Sequence, residues 1–353
     1  MISPLQDDAL TGGAFMMLPD VDFTEIRRAD GTRLVVAICG SGPLVLMVHG
    51  FPESWISWRH QMKVIADAGF TAAALQTRGY GDSDKPVAIE AYTVTEMAGD
   101  IAAVISALDP SGAVLIGHDW GAAQVQAAAL IYPELVRALV TLSVPIMPHL
   151  PENTTKLWPQ LYPRNMFYQT YFLEPGRAEA ELEADPRRFV RLFFYWMSGD
   201  RPGDEHVLVR PDGAKTLLEG LADPDPFPAW LSPAELDYYV GSFARDGFRG
   251  PLNRYRATDL DFIQMAPYAE RRFMQPTMFV GGSRDPVRTL FPGQDIYASP
   301  LERCDDPKGA HIIEGAGHWI QQEAPNELNA LLLPFLDITR EIMPSSAIGP
   351  PGK

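Results

Sequence analysis

Five short apolar runs punctuate the chain: LVLMV at 44–48, TAAAL at 71–75, AVLI at 113–116, ALVTL at 138–142 and TMFV at 277–280. Each is continuous rather than alternating, the pattern of strands covered on both faces in a parallel sheet. Between them the apolar spacing changes to threes and fours. The clearest case is YTVTEMAGDIAAVISAL, where Val94, Met97, Ile101, Val104, Ile105 and Leu108 share one helical face, with Thr93 or Thr95 as N-cap. A run of four or five apolar residues fits helix or strand alike. It is the alternation of the two patterns that predicts βαβ units and an α/β fold with a doubly wound, mostly parallel sheet.

The alternation breaks between roughly residues 146 and 262. That stretch is rich in proline and aromatics, as in PIMPHLPENTTKLWPQLYPRNMFYQTYFLEPG and DPDPFPAWLSP, and reads as helix in AEAELEADPRRFVRLFFYWM, with no parallel strand. Strand and helix resume at PTMFVGGSRDPV. The simplest arrangement is a core of 21–145 and 263–341 split by a helical insertion at 146–262, flanked by an extension at 1–20 and a flexible Gly/Pro-rich tail at 342–353. The last helix is expected to begin near Ala324 and Pro325 and to kink or stop at Pro334.

A length of 353 residues suits one large α/β domain with an insertion, or two domains. Forty-five acidic against 29 basic residues give a formal charge of −16, which opposes binding to nucleic acid or anionic membrane surfaces. Two cysteines, Cys39 and Cys304, are too few for a disulfide framework and have no neighbours at metal spacing. With no basic-then-apolar leader in the first twenty residues and no run of about 18 apolar residues, the expectation is a cytoplasmic protein.

In open α/β sheets the chemistry collects at the carboxyl ends of strands. Four segments follow apolar runs: HGFPESW (49–55), GHDWGA with Asp119, GGSRDPV with Asp285, and GAGHWIQQEAP with His318. Gly-x-nucleophile-x-Gly is the strand-to-helix elbow of α/β hydrolases, and nucleophile, acid, histidine is their order along the chain. An aspartate between two glycines is by itself usually a turn residue; the other three segments give it meaning. Gly117 and Gly121 leave room for a sharp turn that exposes Asp119 at a helix N-terminus, where its ionised form is favoured. Asp285 can fix the tautomer of His318 and offset its developing charge. The amides of Phe51 and Trp120 are placed to form an oxyanion hole. His118, His49, Asp82 and Asp84 read as structural, as do Tyr162, Tyr171, Tyr195, Tyr238 and Tyr239.

A carboxylate nucleophile suits displacement at an sp³ carbon bearing a strained or good leaving group, which makes an alkyl ester of Asp119 that activated water then hydrolyses. Epoxides and alkyl halides both fit, but an epoxide oxygen needs proton donors. Here the chain resembles the soluble epoxide hydrolases of the α/β-hydrolase fold over nearly all of residues 21–341. The resemblance rests on HGFPESWISWRHQM, RGYGDSDKP, GHDWGA, MFYQTYFLEPGRAEAELE, FRGPLNRYR, SRDPV and GHWIQQEAP. It implies a cap domain inserted after the sixth strand, and two cap tyrosines, Tyr168 and Tyr255, that bind and protonate the epoxide oxygen. It also implies a small apolar epoxide as substrate, no metal or cofactor, and a monomer or homodimer. Ala122 and Arg254 depart from residues frequent in the family, and Arg254 could alter the cap surface. The enzyme alternative is a haloalkane or haloacid dehalogenase using the same Asp119, His318 and Asp285; a non-catalytic receptor on the same scaffold is the other.

Overall fold

The five apolar runs lie together in one nine-stranded sheet in the computed structural model, which describes residues 2–4 and 20–340. In chain order the strands are β1 (Ile2–Pro4), β2 (Asp22–Arg27), β3 (Arg33–Gly40), β4 (Leu44–Val48), β5 (Thr71–Gln76), β6 (Ala113–His118), β7 (Val136–Leu142), the separate antiparallel pair β8 (Met166–Phe167) and β9 (Val209–Arg210), then β10 (Phe273–Gly282) and β11 (Cys304–Ile313). Across the sheet the order is β1-β2-β3-β5-β4-β6-β7-β10-β11. The strands from β5 to β11 are parallel, while β1, β2 and β3 attach antiparallel at one edge. The tail at 342–353 and most of the extension at 1–20 lie outside the described residues.

Every residue of β4, β5 and β6 is buried. Alternate side chains serve opposite faces: Val45 and Met47 join one apolar cluster, and Leu44, Leu46 and Val48 the other. The first cluster is closed by α1 (Arg59–Asp67), through Met62 and Ile65. The second is closed by α2 (Val94–Leu108) and α3 (Trp120–Ile131), through Ile101, Val104 and Val125. Helices on both sides are what permit uninterrupted apolar strands. For α2 the cap is Thr93, whose hydroxyl accepts from the Glu96 N–H at 3.3 Å.

Between β7 and β10 the chain leaves the sheet for α4 (Thr154–Leu161), α5 (Tyr168–Leu173), α6 (Arg177–Leu182), α7 (Pro186–Met197), α8 (Pro233–Asp246), α9 (Arg249–Arg256) and α10 (Thr258–Met265). With β1 counted, this departure follows the seventh strand rather than the sixth. The stretch AEAELEADPRRFVRLFFYWM is two helices, because Asp185 caps α7 by accepting from the Arg188 N–H at 2.9 Å and Pro186 occupies its first turn. The buried stripe of α7 faces the core loops: Phe193 meets Phe51 at 5.6 Å and Phe194 stacks on Trp319 at 4.5 Å.

The chain closes with α11 (Ile320–Glu323) and α12 (Pro325–Arg340). The helix does not stop at Pro334: α12 runs on to Arg340. Pro334 lies on the exposed side, so the carbonyl it leaves without an N–H faces water, while Leu332, Phe335 and Leu336 stay buried around it. An interior proline costs about 3 kcal/mol. Three buried apolar side chains at roughly 1.5–3 kcal/mol each offset that. No helix among the described residues is long and apolar enough to cross a membrane.

Candidate active site

The strand order reverses between β4 and β6, so the loops leaving these adjacent strands diverge and open a crevice at their carboxyl ends. Asp119 sits there, between β6 and α3. Its backbone is left-handed, with φ 53° and ψ −122°, a conformation costing an aspartate of order 1–3 kcal/mol. Neither Gly117 nor Gly121 has a positive φ; the two glycines supply clearance. A Cβ on Gly121 would strike the Val48 carbonyl, and one on Gly117 would strike the Gly121 carbonyl and approach Val125 to 2.5 Å. Gly50, in the loop after β4, has the same function toward the side chain, because a Cβ there would fall on the Asp119 carboxylate.

That carboxylate does not cap its own helix. Its Oδ1 accepts from the Phe51 N–H at 2.8 Å, and its Oδ2 lies 3.5 Å from His318 Nε2. On the far side of the imidazole, Nδ1 lies 3.0 and 3.1 Å from the two oxygens of Asp285. The structure thus brings together Asp119, His318 and Asp285 from three separate loops. Burial works against a charged His318, but the Asp285 charge, with the hydrogen bonds and charge of Asp119, outweighs it and pushes the imidazole up to about 10. Burial likewise favours a neutral Asp285, and the His318 charge with donors from His318, Tyr297 and the Val287 amide holds it below its usual value. His318 therefore contributes stability that is full below its unfolded value near 6.5 and lost as pH rises through about 10; Asp285 contributes stability lost as pH falls through its depressed value.

Phe51, Trp120, Tyr168 and Tyr255 converge on the same crevice. The Tyr168 and Tyr255 rings are 5.8 Å apart at 80°, and Tyr255 meets Trp120 at 5.2 Å and Phe51 at 5.3 Å, edge to face in each case. Burial, reinforced by the Asp119 charge, pushes the Tyr168 phenol far up. Burial, then the neighbouring Tyr168 and Asp119, does the same for Tyr255. Both phenols keep their protons at neutral pH. The Trp120 amide is the first of α3, among the N–H groups a helix leaves without an internal acceptor. Arg254, expected at the surface, is instead buried, with its guanidinium 4.8 Å over the Trp120 ring and paired with Asp261. It lies in α9, where every residue from Gly250 to Arg256 is buried, so the helix offers it no exposed side.

Several residues support the site; His118 reads as structural in the sequence, while Glu53, Ser143, Tyr297 and Glu323 are not singled out there. His118 is buried and bridges Glu53, at 2.6 Å, to the His318 carbonyl, at 2.8 Å. Glu53 also accepts the Gly50 N–H at 3.0 Å, so the loops carrying Phe51 and His318 are joined through one histidine. Ser143, itself left-handed with φ 61°, donates to the same His318 carbonyl at 2.9 Å. Tyr297 lies 2.7 Å from Asp285 Oδ2 and from the Ser143 carbonyl. Glu323 accepts from the amides of Gly199, Gly317 and Trp319, tying the His318 loop to the end of α7; burial pushes it up to about 7 against those three donors. Glu53, His118 and Glu323 lay inside the motifs HGFPESW, GHDWG and GHWIQQE; Ser143 and Tyr297 carried no local signal. His49 braces its own loop, with Nδ1 3.0 Å from the Gly50 carbonyl, and Asp84 accepts the Arg33 N–H at 2.8 Å in a turn, as expected.

The sheet order, the elbow and the histidine loop define an α/β hydrolase, and residues 43–325 match the family described as alpha/beta hydrolase fold. Epoxide hydrolase A of Mycobacterium tuberculosis is 41% identical over 315 residues, 87% of this chain and 95% of that protein. An epoxide hydrolase from an endophytic Streptomyces superposes with a TM-score of 0.86 at 40% identity, covering 91% of this chain and 97% of its own. Epoxide hydrolase A from Mycobacterium thermoresistibile gives a TM-score of 0.83 at 38% identity, covering 90% and 98%. The chain belongs to the epoxide hydrolase family.

Proposed function

We propose that the chain converts a small apolar epoxide and water to a vicinal diol through a covalent ester on Asp119, with residues 146–262 as the cap, as a cytoplasmic monomer or homodimer. The observation that carries the reading is a carboxylate, held by the Phe51 amide and His318, in a crevice shared with two buried, protonated phenols. Asp119 attacks a ring carbon in line with the breaking C–O bond, while Tyr168 and Tyr255 hold the oxygen and one gives it a proton. The products of this step are a hydroxyalkyl ester and a tyrosinate.

Ester formation also changes His318. It removes one of the two negative charges that hold the imidazolium, so His318 loses its proton more easily. The buried tyrosinate, far more basic, recovers a proton at the expense of His318. The neutral imidazole, steadied by Asp285, then takes a proton from water as that water attacks the Asp119 carbonyl carbon. The tetrahedral oxyanion rests on the amides of Phe51 and Trp120, a type of donor worth about 3–4 kcal/mol. Collapse releases the diol and restores the Asp119 carboxylate and the His318 imidazolium. A leaving halide needs donors that solvate it but no transferred proton, so only epoxide opening uses the phenols as acids; this favours the epoxide.

Three outcomes test the scheme. A single turnover in heavy-oxygen water should give a first diol free of the label, which enters Asp119 instead; label in that first diol would mean direct attack by water. His318→Gln should let the ester accumulate, seen as added mass on the peptide carrying Asp119, and absence of any adduct with a turned-over epoxide would remove His318 as the base. Gly50→Ala, which places a methyl against the nucleophile, should lower diol formation about 100-fold with the far-UV circular dichroism unchanged.

A further inference from the structure

A phenol can protonate an epoxide only if its single hydrogen points at the epoxide oxygen. The neighbour of Tyr168 bears on that direction. Gln169 Oε1 accepts from the Trp158 indole N–H at 2.8 Å, and Gln169 Nε2 donates to Tyr168 Oη at 2.8 Å. The amide cannot be turned round without loss. An indole N–H only donates, so the amide oxygen must face Trp158 and the amide nitrogen is left for Tyr168. Trp158 is itself held, 3% exposed and packed 4.7 Å from Phe167 and 5.1 Å from Phe291. Gln169 is half-buried and, with Trp158 and Trp120, lines a mostly apolar cavity of about 360 Å³ whose wall does not include Asp119, Tyr168 or Tyr255.

We infer that Gln169 is a positioning residue which, anchored by Trp158, turns the Tyr168 hydroxyl proton toward the epoxide oxygen. The inference rests on the epoxide-opening reading above. With one lone pair of Tyr168 Oη engaged by the amide N–H, the hydroxyl hydrogen is directed to a different acceptor. The same N–H stabilises the oxygen as its proton departs, so it strengthens the acid in the step where it acts. The later attack of water at the Asp119 ester begins only after the tyrosinate has recovered its proton and does not use the direction of this hydroxyl, so the two half-reactions separate cause from general damage.

The test uses the full chain and styrene oxide, with the ester on the Asp119 peptide followed by rapid quench and mass spectrometry. Gln169→Glu is nearly isosteric, but its carboxylate only accepts. Trp158 and Tyr168 then both donate to it, and the phenol proton turns away from the substrate. Ester formation should slow about 100-fold, within the range for a general acid, while breakdown of ester already formed is unchanged. As pH falls and the new carboxyl becomes protonated, its O–H can again donate to Tyr168, so the variant should recover relative to wild type. The other titratable groups around Tyr168 are Asp119, Asp285, Tyr162 and Tyr255, present in both proteins, and the wild-type profile is the baseline.

Gln169→Leu removes the donor without adding an acceptor and leaves the hydroxyl free to rotate, so it should lose less than Gln169→Glu, about tenfold. Unchanged ester formation in Gln169→Glu, equal losses in both half-reactions, a loss independent of pH, or a greater loss in Gln169→Leu than in Gln169→Glu would each overturn the inference alone. Absence of diol from wild type with small, aryl, terpenoid and fatty-acid epoxides would overturn the underlying reading as well.

Discussion

Asp119→Asn should abolish diol formation, with a loss of about ten-thousand-fold or more, the scale seen when a covalent nucleophile is removed. The amide is nearly the same size and can still accept the Phe51 N–H with its oxygen, so the fold and the oxyanion loop should survive. What disappears is the negative charge that makes the oxygen nucleophilic enough to bond to carbon. Intact-mass analysis must show that no deamidation has restored the acid, since a fraction of a percent of revertant would be read as residual activity. The variant has a second use. Its neutral side chain imitates the charge state of the ester, so His318, at about 10 beside two carboxylates, should titrate markedly lower beside one. Imidazole resonances followed by NMR against pH would record the change. An unaltered His318 would mean that ester formation does not prepare the base for the second step.

The double substitution Tyr168→Phe with Tyr255→Phe should abolish epoxide opening, about a ten-thousand-fold loss, because each hydroxyl can cover for part of the other's role and both are then gone. Either single substitution should cost less, about 100-fold. The rings remain, and with them the edge-to-face contacts among Tyr168, Tyr255, Phe51 and Trp120 that make up much of the packing at this interface. Thermal unfolding should therefore move little while turnover collapses. The decisive comparison is with an alkyl halide of similar size. If the double variant and the wild type displaced halide equally and the wild type opened no epoxide, the dehalogenase reading would replace the one proposed.

Much of the fold was legible because parallel strands covered on both faces leave continuous apolar runs, and all five such runs are strands. The antiparallel edge was harder. In β2, next to the antiparallel edge, only two of six residues are buried, and in β11, at the opposite and parallel edge, only the first and last of ten, since strands at the sheet's margins meet solvent and mix polar with apolar residues. β3 contains an apolar run, LVVAIC, that is not among the five read as strands, and its pairing, antiparallel to both β2 and β5, is a tertiary fact. Pro334 misled because a local rule about a missing N–H does not know which side of the helix faces water.

Where the chemistry sits was written locally. Gly-x-Asp-x-Gly, His-Gly-Phe-Pro, Asp285 and His318 follow strand ends in an order that names the reaction type, because a backbone turn and a nucleophile demand particular residues at fixed spacing. What makes those residues act was decided only by folding. The approach of Gly50 to the nucleophile, the Glu53–His118 bridge, the two acceptors facing Tyr297 and the Trp158–Gln169–Tyr168 chain join groups from one to 200 residues apart. Charge, hydrogen-bond direction and burial depend on distance in space rather than along the chain, so the protonation of His318 and Tyr168 and the orientation of Asp119 belong to the tertiary structure alone.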